Sequence, residues 1–161
     1  MSSEDKNLSE FSGKIPKLPN AHIGIAVSEW NDAITGSLLE GAKRLLSEAG
    51  IANNQITVLS VPGSYELILA SQRLAQKSEI DGVIALGCII QGETRHFDFI
   101  CQAVATGISD VNLKYDKPVI FGVLTTDNQQ QALDRSGGKH GNKGEEAAYT
   151  VLRMIDGVLG R

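Results

Sequence analysis

From Gly82 to Ile90 the chain runs through Gly82-Val83-Ile84-Ala85-Leu86-Gly87-Cys88-Ile89-Ile90 without a charged side chain. A strand sends alternate side chains to opposite faces, so a strand apolar at every position needs cover on both. Three further short runs share this character: His22–Val27, Ile56–Val61 and Pro118–Leu124. Segments with apolar residues at helical spacing separate them. The resulting β-α-β-α-β-α-β-α order implies a parallel sheet with helices on both faces and right-handed crossovers.

The helices have readable ends. Ala33–Gly50 repeats apolar residues at Ile34, Leu38, Leu39, Ala42, Leu45, Leu46 and Ala49, with Asp32 placed to cap its start and Gly50 its end. Ser64 is placed to cap a helix from Tyr65 to about Lys77, with Glu66 in the first turn. A third helix is expected from about Phe97 to Asn112, and a short one over Asn128–Arg135. The loop Ser136–Asn142 leads to a last helix, Lys143 to Leu159, striped by Ala148, Val151, Leu152, Ile155, Val158 and Leu159. Residues 21–161 form one expected domain. Met1–Asn20 is a polar tail with Pro16 and Pro19, either disordered or an arm ordered by a neighbouring subunit.

Composition excludes several functions. The net charge is −4, from 15 basic and 19 acidic residues, with no basic stripe of the kind nucleic acid requires. No apolar run approaches the roughly 18 residues of a membrane span. The N-terminus lacks a signal peptide's apolar segment, which predicts a cytoplasmic protein. Cys88 and Cys101 both lie in apolar sequence and read as buried thiols, without the Cys/His spacing of a zinc site.

Each strand empties into a polar or glycine-rich turn at one edge of the sheet, where open α/β sheets bind ligands. The turns are Ser28-Glu29-Trp30-Asn31, Pro62-Gly63-Ser64-Tyr65-Glu66, Gln91 to His96, and Thr125-Thr126-Asp127-Asn128. The third is the richest: Gly92, Glu93 and Thr94 precede His96 at a helix start. Free N–H groups there favour an anion, and imidazole is the side chain that changes charge near neutral pH. Together they point to proton transfer on a phosphorylated substrate. Trp30, the only tryptophan, fits either a loop anchor or a stacking face for a planar ring. Glu66 fits either a helix-capping acid or a partner for a polyol hydroxyl or amine. Arg135 to Gly144 carries three cations, His140 and four glycines, which suits a phosphate or a solvated basic loop. It is not a P-loop, and no GxGxxG follows the first strand.

These segments, in order, resemble the 6,7-dimethyl-8-ribityllumazine synthase family. The similarity covers Ile23 to Leu159. It rests on Trp30-Asn31, Val61 to Glu66, Gly87 to Phe97, Pro118 to Thr126 and Arg135 to Gly144. The resemblance implies a flavodoxin-like three-layer α/β/α domain with a central parallel four-stranded sheet. It implies a cofactor-free condensation of 5-amino-6-(D-ribitylamino)uracil with 3,4-dihydroxy-2-butanone 4-phosphate, the penultimate step of riboflavin synthesis. In that resemblance Trp30 stacks on the pyrimidine with Asn31 beside it. Ser64, Tyr65 and Glu66 hold the ribityl chain and the ring, and the backbone of Cys88, Ile89 and Ile90 contacts the ring. Glu93 and Thr94 match the phosphate turn, and His96 the proton donor. Phe121 and the phosphate ligand Arg135 come from the adjacent subunit, and Lys143 gives electrostatic support.

Trp30 and Tyr65 stand where phenylalanine is more common, and tryptophan there implies weak flavin binding. The resemblance further implies homopentamers, with twelve pentamers in a shell favoured by the compact Ser136–Gly141. The N-terminal segment would add a strand to the neighbour's sheet, and riboflavin synthase would be a functional partner. The competing reading is a non-catalytic shell-forming or flavin- and ribityl-binding protein of the same fold, against which His96, Arg135 and Glu66 argue. An electron carrier is opposed by Ser28–Asn31, which lacks a hydroxyl-rich phosphate loop.

Overall fold

A computed structural model of the chain describes residues 11, 13–158 and 160. Four parallel strands form the sheet: β1 Ile23–Ser28, β2 Ile56–Val61, β3 Gly82–Ile90 and β4 Val119–Thr126, in the order β2-β1-β3-β4. The pleat divides their side chains. Ile23, Ile25, Val27, Ile84, Leu86, Cys88 and Leu124 pack on one face with α1 (Asp32–Glu48) and α5 (Lys143–Gly157). Ala26, Val83, Ala85, Val119 and Val123 pack on the other with α2 (Leu67–Ala75) and α3 (His96–Tyr115). This is the expected three-layer, flavodoxin-like architecture. On edge strand β2, Val58 and Leu59 remain 38% and 37% exposed among the described residues.

Several element ends differ from expectation. Helix α1 is capped by Asn31, not Asp32: Asn31 adopts the left-handed conformation (φ 60°, ψ 45°), which asparagine tolerates, and its carbonyl accepts from Ile34 N and Thr35 N. Helix α2 starts at Leu67, not Tyr65. The Ser64 side chain makes no capping bond there, although its carbonyl accepts from Leu67 N at 3.3 Å, and Glu66 turns its carboxylate back to accept from Gly63 N at 3.0 Å. Helix α3 starts one residue early and runs three beyond Asn112, to a left-handed Asp116. The expected loop Ser136–Asn142 is an antiparallel hairpin, β5 Ser136–Gly138 with β6 Gly141–Asn142, after α4 (Gln129–Asp134). Glycines at φ 115° and 84°, Gly137 and Gly141, make that reversal possible. In α5 the buried stripe ends at Ile155: Val158 is 67% exposed, and Leu159 lies outside the described residues. Cys88 is buried, but Cys101 only half-buried, since α3 presents that side partly to water.

Residues 1–10 and 12, half of the expected tail, also lie outside the described residues. The remainder packs on its own domain: Phe11 stacks on Tyr149 with centroids 4.2 Å apart, and Leu18 N donates to Ala49 O.

Candidate functional site

The chain leaves β1 for β2 on one side, then crosses to β3 and β4 on the other. Strand order therefore reverses between β1 and β3, and their carboxyl ends diverge into a crevice. A cleft of about 400 Å³ occupies that place, lined by Trp30 and Asn31 after β1, Ser64, Tyr65 and Glu66 after β2, Cys88, Ile89 and Ile90 at the end of β3, and His96 and Ile100 on α3. All but Ile100 were singled out from the sequence. Ile100 sits one turn beyond His96, and that i, i+4 spacing was the available signal.

The walls combine apolar and polar groups. Trp30 is 68% exposed, and its ring lies over Gly63, where a Cβ would come within 2.8 Å of two ring carbons. A side chain at that position would push the ring away. The Trp30 loop is also tied to β2, since Glu29 N donates to Val61 O at 2.8 Å and Trp30 N to Pro62 O at 3.0 Å. Tyr65 is 53% exposed at the rim. The Asn31 amide donates to Cys88 O at 3.1 Å across the crevice. Both readings of Glu66 keep support: its carboxylate caps a turn, yet it remains exposed in the cleft wall.

His96 is the first residue of α3, and its N–H donates weakly to Thr94 Oγ1 at 3.4 Å. Glu93 and Thr94 lie on the same turn, exposed beside the cleft and outside its lining. Burial pushes the Cys88 thiol up to about 11. Roughly one such thiol in a thousand is ionised at pH 8, so Cys88 acts as packing and not as a nucleophile. Iodoacetamide at pH 8 is expected to spare Cys88 in the folded protein and label it in urea. Labelling of native protein at the rate of a free thiol would show that the end of β3 opens readily.

Phe121, Arg135 and Lys143 do not line this cleft. Phe121 is half-buried in β4 opposite Ala85 and packs toward the α2–α3 face. Arg135 closes α4. Its Nη1 donates to His140 O at 3.2 Å, and its Nη2 lies 3.3 Å from Glu146 Oε1. Lys143 Nζ reaches Glu146 Oε2 at 3.0 Å. Two cations thus share one carboxylate, leaving a net positive cluster where α5 begins. Nearby, the Gln130 amide and then Lys139 hold the Asp134 carboxyl below the usual carboxylate range. A larger concavity of about 660 Å³ lies elsewhere, between α1 and the β2 edge, and brings together none of the residues singled out from the sequence.

Among the described residues no cluster of His, Cys, Asp or Glu has the makings of a metal site, and no helix is long and apolar enough to cross a membrane. A family model described as 6,7-dimethyl-8-ribityllumazine synthase matches residues 20–158. The chain is 61% identical over 155 residues to the 6,7-dimethyl-8-ribityllumazine synthase of Cytophaga hutchinsonii, covering 96% of this chain and 98% of that one. It is 48% identical over 157 residues to that of Parabacteroides distasonis, covering 97% and 98%. It is 50% identical over 155 residues to that of Flavobacterium johnsoniae, covering 96% and 82%.

Proposed function

The chain belongs to the 6,7-dimethyl-8-ribityllumazine synthase family, and we propose that the cleft between β1 and β3 is where it carries out that family's condensation. The enzyme is a transferase that joins 5-amino-6-(D-ribitylamino)uracil to 3,4-dihydroxy-2-butanone 4-phosphate, yielding 6,7-dimethyl-8-ribityllumazine, phosphate and water in riboflavin synthesis. An amine attacks the ketone and expels one water to form an imine, phosphate leaves, and ring closure expels a second water. Holding both reactants together supplies much of the rate, and proton transfer a smaller share.

The observation that carries this reading is the lining of the cleft: a flat aromatic face, a carboxylate, a hydroxyl and an imidazole around one crevice. Trp30 stacks on the pyrimidine. Ser64, Tyr65 and Glu66 hold the ring and its ribityl chain, with the backbone of Cys88, Ile89 and Ile90 along the ring edge. His96 moves the proton. Glu93 and Thr94 bind phosphate together with Arg135, supported by Lys143.

Phe121 and Arg135 lie away from their own chain's cleft, which supports the reading that they complete the cleft of an adjacent subunit in a homo-oligomer, with Lys143 giving electrostatic support. Exposed Leu69, Phe99 and Leu113 on α2 and α3 support an assembly that covers them. A pentamer is the assembly we favour, with twelve in a shell given the two-residue turn of the β5–β6 hairpin. The uncovered β2 edge suits an added strand from a neighbour's N-terminal segment. A cytoplasmic location, riboflavin synthase as a functional partner and weak flavin binding at Trp30 complete the proposal.

The test is a direct assay. Purified protein mixed with both substrates is expected to generate lumazine fluorescence. His96→Ala should lower kcat by about tenfold and leave the assembly intact, because proximity survives. No product from properly assembled wild-type protein would overturn the reading.

A further inference from the structure

The turn that carries Trp30 is fastened on its two sides by different means. Toward β2 the backbone continues the ladder past the end of β1, through Glu29 N to Val61 O and Trp30 N to Pro62 O. Toward β3 it does not. The β1–β3 pairing ends at Val27 and Leu86, while β3 runs on to Ile90. At Asn31 the chain turns into α1 through a left-handed conformation, φ 60° and ψ 45°. Beyond Leu86 the last residues of β3 stay paired with β4 on one side but have no ladder partner in β1 on the other. The Asn31 side chain fills the gap, its Nδ2 donating to Cys88 O at 3.1 Å.

We infer that Asn31 is a positioning residue, whose side-chain amide replaces the missing ladder between the β1 turn and β3 and so fixes the Trp30 ring in the cleft. Few residue types serve both needs. Asparagine tolerates the left-handed backbone and brings a donor. Glycine meets the first requirement only, and aspartate would turn an acceptor toward a carbonyl, which is also an acceptor. The bond to Cys88 leaves a second N–H and the Oδ1 acceptor of Asn31, so direct contact with the pyrimidine is the alternative that Trp30 emission must separate from positioning. The inference rests on Trp30 being the stacking face, and the experiment separates the two claims.

Trp30 is the only tryptophan, so its fluorescence reports this turn alone. Asn31→Gly and Asn31→Asp are expected to shift Trp30 emission, raise its quenching by acrylamide, and raise KM for the pyrimidine about fivefold, the effect of losing one neutral hydrogen bond. KM for the butanone phosphate and kcat should change much less. Trp30→Ala is assayed alongside: if its pyrimidine KM is unchanged, the stacking assignment fails, and the inference with it. If Trp30→Ala behaves as expected but both Asn31 variants keep wild-type emission and KM, the positioning role is wrong. A raised KM with unchanged emission would mean that Asn31 contacts the pyrimidine directly, and would equally overturn the inference. Agreement between the glycine and aspartate variants guards against a change peculiar to one of them.

Discussion

Gly144→Ala should destabilise the fold by about 3 kcal/mol or more, because the added carbon has nowhere to go. Gly144 is buried in the first turn of α5, where that helix meets α1. A Cβ there would overlap the carbonyl oxygen of Leu38 and lie 2.7 Å from its carbonyl carbon and 2.9 Å from its Cα. All three are backbone atoms of a helix and cannot rotate aside. Asn142 makes the constraint tighter. Its Oδ1 caps Gly144 N at 2.8 Å, its Nδ2 donates to Ser37 O at 3.0 Å, and its amide lies against Gly41. Separating the helices would break the Asn142–Ser37 bond and shift the β5–β6 hairpin, which is also tied to α1 through Ser37 Oγ and Ser136 O. Thermal unfolding at matched protein concentration should show a fall of roughly 6–12 °C for a chain of this size. Gly36→Ala is the control. Gly36 lies in the same α1 with open space where its Cβ would stand, and alanine there should be neutral or stabilising by up to about 1 kcal/mol. Equal unfolding curves for Gly144→Ala and wild type would mean that the helices part without cost.

The second large effect is on substrate binding. Arg135→Ala is expected to raise KM for the butanone phosphate by about 30- to 100-fold, the loss of a charge-assisted contact to phosphate, with little change for the pyrimidine. Nη1 and Nη2 of the guanidinium are already held by His140 O and Glu146, so few of its rotamers would have to be frozen on binding phosphate. An unchanged KM would remove Arg135 from the phosphate site. Co-assembly tests whether the site is shared. Arg135→Ala subunits keep an intact cleft, and Trp30→Ala/His96→Ala subunits keep an intact Arg135. Assayed at butanone phosphate well below the Arg135→Ala KM, two impaired populations randomly mixed in equal amounts should recover wild-type activity at about a quarter of their interfaces, since one interface type in four joins two intact halves. No recovery in verified mixed assemblies would place the whole site within one subunit.

The stretches that were legible in the sequence are those governed by local period and local chemistry. Ile56–Val61 was found at both its ends, and β3 likewise, because uncharged runs bounded by glycine, proline or polar turns leave few alternatives. The cleft was legible because each of its walls directly follows a strand, and parallel strands all end on one edge. Helix starts were less legible. Asp32, Ser64 and the residues before His96 all look like caps, but which one caps depends on where the chain enters the turn. Asn31 and Glu66 took roles there that their neighbours were expected to have.

By itself the sequence determined the three-layer order and the edge at which the strands end, because alternation and helical spacing are properties of neighbouring residues, while the family resemblance named every candidate residue of the cleft except Ile100. Tertiary structure alone decided which of those residues meet. The Asn31–Cys88 bond spans 57 positions and exists because β1 stops before β3 does. The hairpin that follows Arg135 is set by two glycines of positive φ and by the close approach of α1 and α5. Such contacts follow from strand register and interhelical distance, which no local pattern encodes.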